Sequence, residues 1–245
     1  MRIFKMSAKK YALVTGAADR IGKAMSLELV SMGYGLLLHY RSSKDKALQF
    51  EKELRGNGAE VELINFDFDQ ENDFVSVFED LQRKGIAIEV LVNSASEFRP
   101  SGFEDSGSAN LHGLLTSNFE GPYLLTKAFA KVFKNGVVIN MLDTKITRDY
   151  SEHLDYILAK KMLSEFTKLA ATHLSPAIRV NGICPGVILP PVDKGHEYID
   201  KLAAKTPLRR PGTLKDIQRA LRFLVESDFL TGQIIFVDGG EHLVI

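Results

Sequence analysis

The sequence predicts an α/β fold in which one parallel sheet of seven strands carries helices on both faces. Short apolar, β-branched segments alternate along the chain with longer segments of helical period. The strand segments are apolar on consecutive residues, which marks a sheet buried on both sides. No repeat, low-complexity tract or linker divides residues 1–245, so one doubly wound domain accounts for the whole length.

In chain order, YALVTG (11–16) predicts the first strand and Ile21 to Met32 the first helix. GLLLHY (35–40) is the second strand, followed by a helical pattern from Lys44 to Leu54. VELINF (61–66) and IEVLVN (88–93) are strands three and four, separated by a helix over Phe74 to Leu81. Leu111 to Val132 has helical spacing, GVVINML (136–142) is the fifth strand, and Glu152 to Thr172 is helical again. IRVNGIC (178–184), a helix near Leu214 to Leu224 and IIFVDG (234–239) complete the series. Between the sixth strand and that last helix lies the least regular stretch, residues 187–212, with four prolines. Ligands of open α/β sheets bind beyond the carboxyl ends of strands, so this insertion is expected to cover a substrate.

Composition limits the function. Lys plus Arg equals Asp plus Glu at 31 each, so no overall field favours nucleic acid or an anionic membrane. A single cysteine, Cys184, excludes an internal disulfide and suits a reducing compartment. The first residues carry positive charge but no apolar stretch of signal-peptide length, and no run approaches membrane-spanning length. A soluble cytoplasmic protein is expected. The six histidines lack metal-ligand spacing, so no metal is expected.

TGAADRIG (15–22) follows the first strand directly. Gly16 permits a tight turn and Gly22 close helix–strand packing, so a pyrophosphate can sit at the helix amino end. At the end of the second strand an NAD site would carry an acid for the ribose hydroxyls. Here the residues are His39-Tyr40-Arg41-Ser42-Ser43, with no acid until Asp45. Arg41 and Ser42 suit a 2′-phosphate, so NADP(H) is the expected cofactor.

Three Tyr-x-x-x-Lys pairs occur: Tyr40/Lys44, Tyr123/Lys127 and Tyr156/Lys160. The first spans the end of a strand and the second lies within a long helix, where a surface pair is the default. Only Tyr156/Lys160 belongs to a helix that starts beyond a central strand. Its ammonium is expected to bring the phenol toward neutrality.

The order TGxxxxxG, NSA (93–95), Asn118, Asp143, Tyr156-xxx-Lys160, PG (185–186) and VDGG (237–240) resembles the short-chain dehydrogenase/reductase superfamily, from Tyr11 to Gly240. The resemblance implies a Rossmann-type NAD(P)-binding fold, a homotetramer, and a catalytic set of Asn118, the residue at 143, Tyr156 and Lys160. It implies cofactor contacts at Gly16, Arg20, Ile21 and Gly22, and at Tyr40, Arg41 and Ser42. Asp67 and Phe68 would lie near adenine, Asn93, Ser94, Ala95 and Ser96 along the adenosine and phosphates, and Pro185, Gly186, Val187 and Ile188 beside nicotinamide.

Most members carry glycine at position 20 and serine at 143, whereas this chain has Arg20 and Asp143. A carboxylate is a poor partner for a substrate carbonyl, but it can relay a proton to a ring nitrogen or accept from an amine edge. Alternatively, Asp143 caps the following helix. Both departures resemble the pteridine reductases and the related dihydromonapterin reductases. That match implies Ser96 at cofactor phosphate and pterin, Phe98 stacked on the pterin opposite nicotinamide, and Arg20 at the pyrophosphate and the pterin edge. With Asp143 and Tyr156, these form the expected substrate site. Two other readings remain. A 3-oxoacyl-thioester, sugar or steroid ketone reductase predicts serine at 143 and glycine at 20. The other is a non-catalytic NADP(H)-binding module.

Overall fold

The computed structural model describes residues 10–244 apart from 105, 149–151 and 192–193. The seven strands are β1 (Lys10–Val14), β2 (Gly35–Tyr40), β3 (Val61–Asn65), β4 (Ala87–Asn93), β5 (Gly136–Met141), β6 (Ile178–Pro185) and β7 (Ile234–Val237). They form one sheet in the order β3-β2-β1-β4-β5-β6-β7, and every pairing is parallel. The chain therefore reverses its direction of travel between β1 and β4, opening a crevice at their carboxyl ends.

Helices α1 (Arg20–Ser31), α2 (Lys44–Gly56) and α8 (Leu214–Glu226) belong to one face. There Met25, Leu29, Phe50 and Leu221 pack on Val14, Leu38 and Ile139. Helices α3 (Phe74–Arg83), α5 (Gly121–Val132) and α6 (Leu154–Leu174) cover the other, with Phe78, Leu125, Phe129 and Ala170 against Leu13, Leu37, Leu91 and Val138. Neighbouring residues of β1 and β2 serve opposite cores, which is why these strands read as unbroken apolar runs.

The helical stretch expected from Leu111 to Val132 is divided. Helix α4 (Ser108–Leu115) passes into a π-turn over Thr116–Glu120 before α5 begins. Pro122 lacks the amide that would bond the carbonyl of Asn118 in α geometry, so the helix widens there. A further short helix, α7 (His196–Ala203), lies inside the 187–212 insertion. The prolines hid it, because they flank α7 rather than interrupt it.

The turn after β1 is the tightest in the crevice. Gly16 has φ +64°, and a Cβ there would stand 3.1 Å from Ala95 Cα. A Cβ on Gly22 would meet the Gly16 carbonyl oxygen at 2.1 Å. Arg20 itself has φ +49°, the left-handed region that glycine occupies without penalty. Arginine here costs about 1–2 kcal/mol, which must be offset elsewhere.

Gly22→Ala is expected to destabilise the protein by about 1–3 kcal/mol, because the obstacle is backbone rather than a movable side chain. Urea unfolding of the two proteins measures it; equal midpoints would show that the turn relaxes freely.

Candidate active site

The crevice is lined along one side by Gly16, Tyr40, Arg41, Ser42, Asp67 and Phe68, and continues to Ala95 and Ser96. These eight were expected from the sequence. His39, Phe66, Asp19, Glu97 and Ser117 also line it and were not singled out in advance.

Three hydrogen bonds shape its floor. Thr15 Oγ1 accepts from the amides of Ser94 and Ala95, each at 2.9 Å. The Gly16 amide donates to His39 Nδ1 at 3.2 Å. His39 Nε2 lies 3.0 Å from the Phe66 carbonyl and the ring stacks on Phe66, with centroids 3.8 Å apart. An imidazole that accepts at Nδ1 and donates at Nε2 is neutral, and burial pulls its pKa down to about 4. His39 is therefore a fixed acceptor for the phosphate loop.

Other expected residues stand back from the groove. The Asn93 side chain is buried, donating to Asn140 Oδ1 at 2.8 Å and to Thr126 Oγ1 at 3.3 Å. It is a strut beneath the loop. Ile188 is part of the core, while Gly186 continues from β6 with its amide bonded to Val237 O at 3.1 Å. Ile21 and Gly22 form the first turn of α1. Arg20 does not line the groove: its Nη2 donates to Pro190 O at 2.8 Å, tying the phosphate loop to the insertion. Asp19 caps α1 by accepting from the Arg20 amide at 2.9 Å, a contact that helps hold the Arg20 backbone.

The expected tetrad converges at the carboxyl end of β5. Asp143 caps a short 3-10 turn rather than the longer helix α6, and it also holds the Tyr156 hydroxyl. Its Oδ1 accepts from the Lys145 amide at 2.8 Å, capping the 3-10 turn Thr144–Thr147, while Oδ2 accepts from Tyr156 Oη at 2.9 Å. Lys160 is buried, donates to Met141 O at 2.8 Å, and lies 5.7 Å from the centre of the Tyr156 ring. Asn118, on the π-turn, accepts from Ser96 Oγ at 2.6 Å and donates to the carbonyls of Glu97 and Leu114.

This geometry corrects one expectation. Burial, and then the Asp143 carboxylate, hold the Tyr156 phenol well above its ordinary pKa. Lys160 does not bring it toward neutrality; burial instead lowers the lysine to about 8. A negative neighbour disfavours phenolate more than a cation across the ring face favours it.

Phe98 stands over this group. It is 47% exposed, meets Tyr156 edge-on at 4.8 Å, and lies 4.2 Å from the His153 ring. Lys145 Nζ is 5.0 Å from its centroid. His153 and Lys145 were missed because neither belongs to a motif; the fold alone brings them to Phe98. Tyr123/Lys127, by contrast, is an exposed pair at 3.4 Å.

A sheet with this strand order, a glycine turn at the β1/β4 split and a Tyr/Lys/Asn group at the end of β5 are the features of a nucleotide-dependent oxidoreductase of the doubly wound class. The family model described as enoyl-(acyl carrier protein) reductase matches residues 16–242, and the chain belongs to this family of short-chain dehydrogenases/reductases. The 3-oxoacyl-[acyl-carrier-protein] reductase FabG of Staphylococcus epidermidis is 26% identical over 242 residues, spanning 96% of this chain and 99% of the relative. General stress protein 39 of Bacillus subtilis is 29% identical over 244 residues, spanning 96% and 85%. Among solved structures, FolM alternative dihydrofolate reductase 1 from Brucella suis, in complex with NADP, superposes with a TM-score of 0.90. The two share 30% sequence identity, with 98% of each chain covered. Among the described residues no helix is long and apolar enough to cross a membrane.

The low pKa of His39 has a consequence for stability. Above pH about 6.5 the imidazole is neutral folded and unfolded, so it contributes no pH dependence. As pH falls from there to about 4, the unfolded chain binds a proton that the folded one refuses, and stability drops by on the order of 3 kcal/mol. His39→Asn should lack this part of the decline. Unfolding measured across that window checks it, and parallel curves for the two proteins would remove the assignment.

Proposed function

We propose that this protein is an NADP(H)-dependent reductase of dihydropterins, acting on dihydromonapterin, dihydrobiopterin or dihydrofolate. The observation that carries this reading is the 2.9 Å hydrogen bond from Tyr156 to Asp143. It occupies the phenol with a carboxylate where a ketone reductase needs a hydroxyl donor, and leaves an acceptor-rich wall suited to N–H groups. The exposed face of Phe98 beside Tyr156 supports a flat aromatic substrate. The FolM structure is of an alternative dihydrofolate reductase in complex with NADP.

The groove fits the cofactor on its own terms. The 12-residue helix α1 begins beside it, and Gly16 brings backbone close to Ala95. Arg41 at the end of β2 is half exposed, with Asp69 no nearer than 4.0 Å, and Ser42 adjoins it. These two would hold the 2′-phosphate. Asp67 and Phe68 would border adenine, Ser96 the phosphates, and Pro185 to Val187 the nicotinamide, while Arg20 reaches the pyrophosphate by leaving Pro190. When bound, NADPH supplies the hydride.

The chain's own part is positioning and proton transfer. Lys160 holds ribose hydroxyls. Tyr156 and Asp143 form one pair that keeps a proton at the ring-nitrogen position and delivers it as the C=N bond is reduced, directly or through a water that Asn118 positions; solvent refills the pair. Stacking on Phe98 fixes the plane of the heterocycle.

A second reading, reduction of a 3-oxoacyl thioester, has the FabG relative in its favour and Asp143 against it. NADPH oxidation by the purified protein with dihydropterins and with acetoacetyl-thioester separates them; turnover confined to the thioester sinks the pterin reading. Tyr156→Phe is expected to abolish turnover while leaving NADPH affinity nearly intact. Asp143→Ser should lower dihydropterin turnover about 100-fold. If either variant keeps wild-type turnover, that residue leaves the mechanism.

We also propose a homotetramer. Leu158, Met162 and Leu169 form an exposed apolar stripe on α6, and Phe223 with Phe229 a second patch near the end of α8. Two separate apolar faces fit assembly about two kinds of two-fold axis. Leu169→Asp should reduce the mass seen by light scattering from tetramer to dimer; an unchanged mass would exclude this stripe from the interface.

A further inference from the structure

After β7 the chain turns back toward the site through Gly239 and Gly240 into the short 3-10 helix Glu241–Leu243. A Cβ on Gly186 would stand 2.8 Å from Glu241 Oε2, so this carboxylate lies against the turn that follows β6. Arg148, at the end of the turn that Asp143 caps, donates Nη2 to the Glu241 backbone carbonyl. Two polar atoms in this corner are buried without a hydrogen-bond partner, the acceptor Glu241 Oε2 and the donor Arg148 Nε. Burial pushes the Glu241 carboxyl up, Arg148 opposes it, and Asp143 adds to the rise. The turn that Asp143 caps is thus joined to the Glu241–Leu243 turn through Arg148.

A buried acceptor left open has lost its water and gained nothing in return, so a donor that reaches it, from water or from a substrate, is stabilising. The reacting carbonyl of an acyl thioester or ketone brings no donor to it. We propose that Glu241 is a specificity-determining residue that accepts a hydrogen bond from an exocyclic amino group of the substrate, beside the ring nitrogen held at Asp143. The site then selects heterocycles with an aminopyrimidine edge and discriminates against flat heterocycles without one. This inference rests on the dihydropterin reading.

The test compares kcat/KM for a dihydropterin and its 2-deamino counterpart in wild type, Glu241→Ala and Glu241→Gln. Removing the amino group should cost the wild type about tenfold or more, since the open acceptor stays unmet. The same removal should cost Glu241→Ala no more than about twofold. Glu241→Gln, which preserves size and one acceptor oxygen, should show an intermediate preference and serves if the alanine variant folds poorly. Unfolding midpoint and NADPH affinity identify which variants are intact. A wild-type preference retained in the intact variants overturns the inference and leaves dihydropterin reduction standing. Wild-type protein that turns over only carbonyl substrates overturns both.

Discussion

The close approach of the first turn to the fourth strand is the constraint on which the rest of this structure depends. Thr15 Oγ1 accepts two amides from the start of the β4 loop, and His39 accepts the Gly16 amide from the other side. Gly22 leaves room for the Gly16 carbonyl where any Cβ would collide. These contacts pin the amino end of α1 at the point where the strand order reverses. A crevice with the amino end of α1 on one wall follows from the topology. The protein then has to keep its backbone there rigid, and it does so with buried, neutral hydrogen bonds that carry no charge of their own.

At the far end of the crevice the organising element is Asp143. Its two oxygens divide the work: one ends β5 cleanly by capping the next turn, and the other holds the Tyr156 hydroxyl. A cap and a proton partner are usually weighed as alternatives because a side chain serves one donor. A carboxylate has enough lone pairs for both. The electrostatic result is a phenol kept protonated beside a lysine that burial weakens as a cation. That balance differs from a Tyr/Lys pair acting alone.

Arg20 joins the two ends. Its left-handed backbone is where a glycine would rest without penalty, and Asp19 fastens the amide in place. The guanidinium then bridges to Pro190 in the insertion. The insertion and the turn after β1 are thereby linked through one side chain.

The strand runs, the glycine turn and the position of Tyr156/Lys160 could be read from the sequence because each depends on local patterning: consecutive apolar residues, glycines where a turn and a close approach need them, a helix following a central strand. So could the family, since its motifs are spaced along nearly the whole chain. The π-turn at Asn118 escaped notice although Pro122 announces it, because one missing amide looks trivial against a long helical period. Asn93 as a strut and the neutral state of His39 were decided by burial, which no single residue type dictates. His153, Lys145, Arg148 and Glu241 come from separate loops and from the last turn of the chain. Sequence by itself determined the seven strands, most of the helices and the family. Only the tertiary structure decided how the site is charged, because a pKa depends on what lies within a few ångströms and on how much water the packing excludes.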